Sequence, residues 1–454
     1  MVESFRDYVA AANPRYQWYR HCDIMADVLE RVVTGELTRV MFFLPPRHTK
    51  SETVSRLFSG YYLLRHPERW VGLNSYADAL AYTLSRNARE NYRAAGGTFS
   101  QGAEAVKHWE THGGGGMWAA GVGGPITGKG FHLGIIDDPL KNAEEASSEV
   151  IREKQKDWYR STFLTRQEPN AAIIIIQTRW HEDDLSGWLL AEEEAGGEYA
   201  EKWHIVRMEA IKDDEAEPIP ATCTLEPDFR FYGEALCPER YDLRKLQAMR
   251  NRLGSYYFAA LYQQTPRARE GNFFKRGWFE IVNEVPYQAE RVRWWDKAAT
   301  VDAGDYTAGV LMAKANGIYY VEDVVRGQWS SNERDAIIRQ TAAMDSERYH
   351  GRVRIWSEQE PGSSGKDSAA AFVQMLSVHP ARTEPSTGNK SVRADPFAAQ
   401  AEAGNVKLKS GLWNTAYMDE LMAFPNGKYD DQVDGSSGAF NKLALSKTVK
   451  AISA

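Results

Sequence analysis

Three short apolar runs, each followed at once by polar or charged residues, restrict the fold of this chain more than any other feature. The runs are Val40–Leu44, Leu133–Ile136 and Ala172–Ile176. Continuous apolar runs of this length are typical of strands buried on both faces of a parallel sheet. Since helical segments separate the runs, we predict an α/β domain whose polar strand ends meet at one edge, where open α/β sheets bind ligands.

The first run leads into a loop with the residues of a phosphate-binding loop. After Pro45-Pro46 the chain reads Arg47-His48-Thr49-Lys50-Ser51. In such a loop, backbone N–H groups and a helix N-terminus contact the phosphates, Lys50 reaches the β- and γ-phosphates, and Ser51 binds Mg²⁺. Thr49 stands where a glycine is usual, so the segment alone is equally compatible with a strand that ends in a proline turn.

The other two runs end in residues that suit ATP hydrolysis. Leu133–Ile136 is followed by Asp137, which would orient Mg²⁺, and Asp138, which would act as general base toward the attacking water. Ala172–Ile176 is followed by Gln177 and Thr178, which would sense the γ-phosphate. An Asp-Pro turn and a loop-capping threonine are the alternatives for these two strand ends.

Acidic residues also follow predicted strands in the second half of the chain. A strand over Arg291–Trp295 ends at Asp296, an antiparallel hairpin turns at Asn316-Gly317, and a helix leads to a strand that ends at Glu358. This is the order of a ribonuclease H-like fold. Further acids stand at a predicted helix start: Asp430, Asp431 and Asp434. Carboxylates from three segments suit a site for two Mg²⁺ or Mn²⁺ ions, although each acid alone reads as a surface residue.

Length, charge and cysteine content exclude several other classes of protein. The 454 residues favour at least two domains, and no apolar run approaches the ~20 residues that span a bilayer. Three scattered cysteines form neither a disulfide framework nor a zinc cluster, which indicates a reducing, intracellular setting. The net charge of −7 argues against a surface covered with nucleic-acid-binding charge, so any DNA contact is expected in a local channel. We place an α/β domain at 1–210, a connecting region at 211–285 and a second domain at 286–454.

Over nearly its whole length the chain resembles the terminase large subunits of tailed bacteriophages. The segments that carry the resemblance are Pro45–Glu52, Asn74–Tyr76, Gly121–Gly130, Ile135–Pro139, Gln177–His181, Asp296, Glu358–Lys366, Phe424–Gly427 and Asp430–Asp434. Their order and joint presence make the resemblance specific.

The resemblance implies an N-terminal ASCE-type P-loop ATPase domain and a C-terminal ribonuclease H-like nuclease domain. It implies ATP-driven translocation of double-stranded viral DNA into the procapsid, and metal-dependent endonucleolytic cutting of concatemeric DNA. The implied cofactors are ATP and Mg²⁺, with Mn²⁺ effective in the nuclease site. The implied partners are double-stranded DNA, the portal protein and a small terminase subunit. The protein would be a monomer in solution and a ring on the capsid. It would act in the host cytoplasm, docked transiently on the portal, without membrane contact and absent from the mature virion.

The resemblance also assigns roles to individual residues. Arg47 takes the place of an arginine within the phosphate loop, and Tyr16, Gln17 and Trp18 lie in the adenine-side segment. Lys129 stands where relatives often carry an arginine that reaches a neighbour's ATP, although lysine lacks the bidentate fork. The implied catalytic residues are Asp138, Lys50, Arg47, Asp296, Glu358 and Asp431. The nucleotide contacts are Arg47, His48, Thr49, Lys50, Ser51, Asp137, Gln177 and Thr178, and the metal ligands are Ser51, Asp137, Asp296, Glu358, Asp430 and Asp431.

Two other functions fit parts of the sequence. A helicase or other translocase with a non-cutting second domain would keep Lys50 but would not need Asp296, Glu358 and Asp431 together. A non-enzymatic capsid or portal adaptor with a relic ATPase fold would tolerate the altered phosphate loop. Steady-state ATP hydrolysis, with and without DNA, separates the adaptor from both enzymes.

Overall fold

A computed structural model of the chain describes residues 2–124, 126, 128, 130–213, 218–267, 273–297, 306–359, 362–385 and 389–445. Lys129 lies outside the described residues, as do Pro125, Thr127, Glu360 and Pro361 of the segments that carry the resemblance. The chain divides into two compact units. The first comprises Met1–Met249 with Tyr256–Ala268, and the second comprises Arg250–Ser255 with Arg269–Ala454.

The first half of the chain alternates helices and strands. The strands are β1 (Arg39–Phe43), β2 (Trp70–Ser75), β3 (Phe99–Ala105), β4 (His108–Thr111), β5 (Gly116–Gly121), β6 (Phe131–Asp137), β7 (Gln167–Gln177), β8 (His204–Arg207) and β9 (Thr224–Leu225). The α-helices are α1 (Phe5–Ala12), α2 (Arg20–Val33), α3 (Ser59–Arg65), α4 (Asp78–Ala94), α5 (Ala143–Ser147), α6 (Glu149–Trp158), α7 (Leu185–Ala195) and α8 (Leu243–Tyr257). Short π-helical stretches are Glu52–Phe58, Tyr159–Phe163 and Phe258–Tyr262, and 3₁₀ turns are Leu164–Arg166 and Gly197–Tyr199.

The three apolar runs of the sequence are neighbouring parallel strands of one sheet. Among the described residues this sheet has nine strands, in the order β3-β4-β5-β2-β6-β7-β1-β8-β9. β7 lies between β1 and β6 and is parallel to both. One strand, β7, thus separates β1, which precedes Lys50, from β6, which leads to Asp137 and Asp138. The ASCE arrangement requires this separation. The register pairs Phe43 with Gln177 and Asp137 with Ile176, so the three carboxyl ends are level.

Burial on both faces explains why these runs form central strands. Ile174 and Ile176 of β7 pack into the apolar cluster on one face of the sheet, and Ile173 and Ile175 pack into the cluster on the other. All four isoleucines are fully buried. Alternate side chains of a strand point to opposite faces, so an uninterrupted β-branched run is what a two-sided core needs.

The second half of the chain forms a separate mixed sheet with helices. Its strands are β10 (Glu280–Val282), β11 (Glu290–Asp296), β12 (Thr307–Ala315), β13 (Ile318–Gly327), β14 (Val353–Gln359), β15 (Ala381–Pro385) and β16 (Val406–Lys409). Its α-helices are α9 (Ser331–Tyr349), α10 (Ser363–Met375), α11 (Lys390–Glu402), α12 (Asn414–Ala423) and α13 (Asp431–Ala444), and Arg276–Trp278 is a 3₁₀ turn.

The second sheet has the predicted ribonuclease H-like topology. In the described part of the chain its strand order is β10-β16-β13-β12-β11-β14-β15. β11, β12 and β13 form an antiparallel meander, and β14 lies parallel to β11 on its other side. The turn between β12 and β13 has positive φ at both Asn316 (51°) and Gly317 (82°), which matches the right-handed twist of a two-residue hairpin.

Within the described part of the chain, every helix is too short or too polar to cross a lipid bilayer.

Candidate functional site

The strand ends of the first unit bring a lysine, a carboxylate and a threonine into direct contact. The Nζ of Lys50 donates a hydrogen bond to Oγ1 of Thr178 at 2.5 Å and lies 3.0 Å from Oδ2 of Asp138. The backbone N–H of Thr178 donates to Oδ1 of Asp138 at 2.7 Å. Residues that stand 128 positions apart in the chain therefore share one closed network, built from the ends of β1, β6 and β7.

Asp137 lies beside this network and is held by two hydroxyl groups. Oδ1 accepts a hydrogen bond from Ser51 at 2.8 Å, and Oδ2 accepts one from Ser55 at 2.5 Å. Burial, followed by the charge of Asp138, raises the pKa of Asp137 to about 6, although the Ser55 bond and Lys50 oppose the rise. The sequence interpretation missed Ser55. Its position four residues after Ser51, on the same helix face, is the signal that could have found it.

The loop between β1 and Lys50 keeps a glycine-like backbone without a glycine. Arg47 has a φ of 66° and Thr49 a φ of 64°, both in the left-handed region. For a β-branched residue this conformation is a genuine outlier, and strain of this kind costs on the order of 1–3 kcal/mol. The Thr49 hydroxyl lies 3.3 Å from Nε2 of His21 and 3.6 Å from Sγ of Cys22. The surrounding structure thus holds Thr49 in the shape that the usual glycine would adopt freely.

A cavity of about 720 Å³ opens over this loop. Its lining includes Arg47, Thr49, Lys50, Ser51, Asp137, Asp138 and Thr178 from the predicted set. Tyr16 and Gln17 also line it, whereas Trp18 is not among the lining residues and donates from Nε1 to Asp23 at 2.7 Å. Polar lining residues that the sequence did not indicate include Arg15, Tyr19, Arg56, Lys141 and Arg240.

Two predicted nucleotide contacts have side chains outside the cavity lining. His48 is buried, its Nδ1 lies 2.9 Å from the carbonyl oxygen of Pro46, and its ring stacks on Tyr241 with centroids 5.2 Å apart. Burial lowers the pKa of His48 to about 4, so the ring is neutral at neutral pH. The Oε1 of Gln177 accepts a hydrogen bond from Ser186 of α7 at 2.6 Å. His48 therefore has only its backbone to offer to the cavity, and Gln177 faces α7.

In the second unit, acids from three elements lie near one another. Asp296 ends β11 and Glu358 lies near the end of the parallel strand β14, where Trp295 pairs with Ser357. Asp434 lies in the first turn of α13. Burial raises the pKa of Asp296 well above its ordinary value, and the charges of Asp434, Glu358 and Asp431 raise it further, in that order. The charges of all three carboxylates therefore act on Asp296.

Asp431 has a somewhat different environment at the start of α13. Its Oδ2 accepts a hydrogen bond from the backbone N–H of Tyr306 at 3.4 Å. Burial, followed by the charge of Glu420, raises the pKa of Asp431 to about 6. Asp431 therefore lies in the predicted acid cluster, but Glu420 has a larger effect on its pKa than Asp430.

Two glycines allow α13 to bring its acids to the sheet. A Cβ at Gly435 would lie 2.9 Å from the side chain of Val310, and a Cβ at Gly438 would collide with the ring of Trp294. Residues four apart share one helix face, so Gly435 and Gly438 lie one turn after Asp431 and Asp434 on the same face of α13. The close backbone approach fixes the position of both acids relative to β11 and β12.

Two basic residues of α11 pair with the acids, and neither was among the predicted site residues. Nη1 of Arg393 lies 2.9 Å from Glu358, and Nη2 lies 3.0 Å from Oδ1 of Asp434. Nζ of Lys390 lies 3.0 Å from Oδ2 of Asp434 and 2.8 Å from Asp430. Their only sequence signal is their spacing of three residues, which places both on one helix face.

The chemistry of this donor set fits hard divalent cations, although its side chains are not arranged as a ready-made cage. No three His, Cys, Asp or Glu side chains are arranged to hold one ion, in so far as the structure describes them. The donors are carboxylate oxygens, the ligands that Mg²⁺ and Mn²⁺ prefer. Burial raises the pKa of Asp296 and the neighbouring carboxylates raise it further, and bound cations would offset both effects.

Comparison with known proteins gives a consistent result for both halves of the chain. The family model described as "Terminase large subunit, T4likevirus-type, N-terminal" matches residues 41–281, and the one described as "Terminase RNaseH-like domain" matches residues 293–443. The large terminase of a thermophilic bacteriophage is 11% identical, with a TM-score of 0.51 over 91% of this chain and 98% of that chain. The structure of the same large terminase in complex with ADP is also 11% identical, with a TM-score of 0.51 over 92% and 99%. At this identity the two structures show a shared fold alone. No curated protein matches the chain.

Proposed function

The chain belongs to the family of terminase large subunits, ATPases with a ribonuclease H-like nuclease domain that package and cut viral DNA, and we propose how its residues divide this work. The ATPase domain comprises 1–210, a connecting region comprises 211–285 and the nuclease domain comprises 286–454. The first drives double-stranded DNA into the procapsid, and the last cuts concatemeric DNA.

In the ATPase domain, Lys50 binds the β- and γ-phosphates. The observation that carries this assignment is its contact with Asp138 and Thr178, because an entering γ-phosphate would replace these as partners of the same ammonium group. Ser51 and Asp137 hold the Mg²⁺ that accompanies ATP and neutralises charge on the phosphates. Asp138 orients and deprotonates the attacking water. The exposed Arg47 adds positive charge at the mouth of the cavity.

Thr178 and Gln177 couple the state of the nucleotide to movement. Thr178 contacts both Lys50 and Asp138, so loss of the γ-phosphate changes its partners directly. The next residue back along β7, Gln177, is bonded to Ser186 of α7. A shift at the end of β7 is therefore passed to α7, away from the nucleotide.

ATP hydrolysis by a lysine variant tests the nucleotide site. Lys50→Ala should lower the hydrolysis rate by at least about 10²-fold, because positioned charge of this kind contributes several kcal/mol to phosphoryl transfer. Lys154→Ala, an exposed lysine of α6, is the matched control and should hydrolyse ATP like the wild type. Wild-type turnover by Lys50→Ala would rule the site out.

In the nuclease domain, Asp296, Glu358, Asp431 and Asp434 hold divalent ions, with Asp430 beside them. Mg²⁺ is the proposed physiological ion, and Mn²⁺ is expected to work as well. Bound ions would supply an activated water and stabilise the leaving oxygen of the cut strand. The observation that carries this assignment is geometric: Asp296 and Glu358 follow paired residues of the parallel strands β11 and β14, and Arg393 contacts both Glu358 and Asp434. Asp296 and Glu358 orient the site from the rigid strands β11 and β14.

Anomalous scattering from crystals soaked in Mn²⁺ tests the metal site. Two peaks about 4 Å apart between Asp296, Glu358 and Asp434 are expected. Crystals of Asp296→Asn should lose at least one of the peaks, whereas crystals of Asp419→Asn, an exposed aspartate of α12, should keep both. The assignment fails if the wild-type crystals show no peak at these acids.

The wider assembly is proposed from family membership. The subunit would be a monomer in solution and would form a ring on the procapsid portal in the host cytoplasm, with a small terminase subunit that selects viral DNA. Sedimentation of the purified protein with and without portal tests this: a single monomer boundary alone, and co-sedimentation of several copies with portal, are expected.

A further inference from the structure

Two basic side chains of α11, Lys390 and Arg393, contact carboxylate oxygens that would be ligands in the proposed metal site. Oδ1 of Asp434 contacts Arg393 at 3.0 Å, and Oδ2 contacts Lys390 at 3.0 Å. Arg393 also contacts Oε1 of Glu358 at 2.9 Å. Both oxygens of Asp434 are thus in contact with a cation of the protein. A divalent ion bound by Asp434 would lie within a few ångströms of one of these positive groups.

Like charges at that separation repel each other, and a site with little water around it screens them weakly. The Asp434 side chain is 4% exposed and lies on a helix fixed by Gly435 and Gly438, so the carboxylate has little freedom to move away. The Lys390 side chain is 51% exposed and the Arg393 side chain 22%, so both basic side chains are more exposed than the Asp434 carboxylate. When an ion enters, the basic side chains are therefore the groups that move.

After they leave the carboxylates, the two basic side chains would pair with the DNA phosphate at the cleavage position. Guanidinium groups bind phosphate oxygens in a bidentate manner, and ammonium groups bind them as point charges. Arg393 contacts Glu358 and Lys390 contacts Asp434, so a phosphodiester bound to ions held by these acids would come near both basic side chains.

We propose that Lys390 and Arg393 exchange partners: they neutralise Glu358, Asp430 and Asp434 in the metal-free protein, and they pass to the DNA phosphate when divalent ions fill the site. Metal and DNA then bind cooperatively, because DNA removes the cations that compete with the metal. The nuclease site therefore binds divalent ions only weakly until DNA is present. This inference rests on the proposed metal site.

Mn²⁺ binding to the full-length protein, measured by calorimetry and by the Mn²⁺-induced rise in melting temperature, tests the exchange. Without DNA, Lys390→Ala and Arg393→Gln should bind Mn²⁺ about tenfold more tightly than the wild type, since a competing charge is gone. With a short duplex and Ca²⁺ in place of Mn²⁺, both variants should bind DNA at least about fivefold more weakly. Lys407→Ala, which removes the partner of the exposed Glu280 at the far edge of the same sheet, is the matched control and should change neither value.

Thermodynamic linkage between metal and DNA binding provides a second test, which uses only the wild-type protein. Duplex DNA should tighten Mn²⁺ binding to the wild type, and Mn²⁺ should tighten DNA binding by the same factor. If Lys390→Ala and Arg393→Gln bind Mn²⁺ equally or more weakly than the wild type, the two residues only position the acids and the exchange is wrong. If the wild type itself binds no Mn²⁺, the proposed metal site fails rather than the exchange alone.

Discussion

Replacing Thr49 by glycine and by alanine measures the strain in the phosphate loop. Both changes remove the Thr49 hydroxyl and its contacts with His21 and Cys22, so those contacts cancel in the comparison. Only the alanine keeps a Cβ at a φ of 64°. The difference between the two variants therefore isolates the cost of a side chain in the left-handed region.

The expected difference is about 1 kcal/mol in favour of glycine. A left-handed conformation costs a non-glycine residue roughly 1–2 kcal/mol, and glycine loses some of this advantage, about 0.5–1 kcal/mol, through its larger unfolded-state entropy. For a domain of this size, about 1 kcal/mol corresponds to a difference of about 2–4 °C in melting temperature. Thr49→Gly should therefore melt above Thr49→Ala.

Differential scanning calorimetry with and without ADP is the assay. The transition that ADP raises belongs to the ATPase domain, because a ligand stabilises the folded form that binds it. Ala79→Gly, at an exposed site in the first turn of α4, is the control of opposite sign and should lower that transition. If Thr49→Ala melts above Thr49→Gly, residue 49 does not adopt the left-handed conformation and the strain argument is wrong.

Three further outcomes are expected. Thr178→Ala should keep ATP binding but lose DNA translocation in a packaging assay, because it removes the bond to Lys50; equal packaging would count against coupling through β7. The pKa of Asp137 is about 6 in the folded protein and 3.8, the ordinary aspartate value, in the unfolded chain, so the folded form binds the proton more tightly. In EDTA, the free energy of unfolding should therefore fall as the pH rises from about 4 to 6. Asp137→Asn should flatten that slope in urea titrations, and an unchanged slope would refute the assignment. Gly438→Ala should lower the stability of the nuclease domain by about 1–3 kcal/mol despite the better helix propensity of alanine, because its Cβ meets Trp294; a rise in melting temperature would show that α13 does not approach the sheet so closely.

The central strands and the acids at their ends were predictable because short-range patterns encode them. The uninterrupted run Ile173–Ile176 has few alternatives to a strand buried on both faces, and Asn316-Gly317 favours one kind of turn. Given parallel neighbours, the polar residues after β1, β6 and β7 had to meet. The same logic placed Asp296 beside Glu358.

The remaining parts depend on long-range packing that no local pattern records. Lys390 and Arg393 are two of many charged helix residues, and only the packing of α11 brings them to Asp434. The orientation of His48 follows from its burial against Tyr241, far along the chain. Thr49 contradicts the local preference for glycine, and the packing of the loop on α2 through His21 and Cys22 holds it in place.

Measuring both activities in two single variants of the full-length protein tests the central claim most directly. ATP hydrolysis and Mn²⁺-dependent plasmid cleavage are assayed side by side for Lys50→Ala and Asp296→Asn. We expect Asp296→Asn to stop cleavage while it hydrolyses ATP at the wild-type rate, and Lys50→Ala to stop hydrolysis while ATP-independent cleavage persists. Cleavage by Asp296→Asn at the wild-type rate, or loss of ATP hydrolysis in that variant while it remains folded, would contradict the division of the two activities between these two sites.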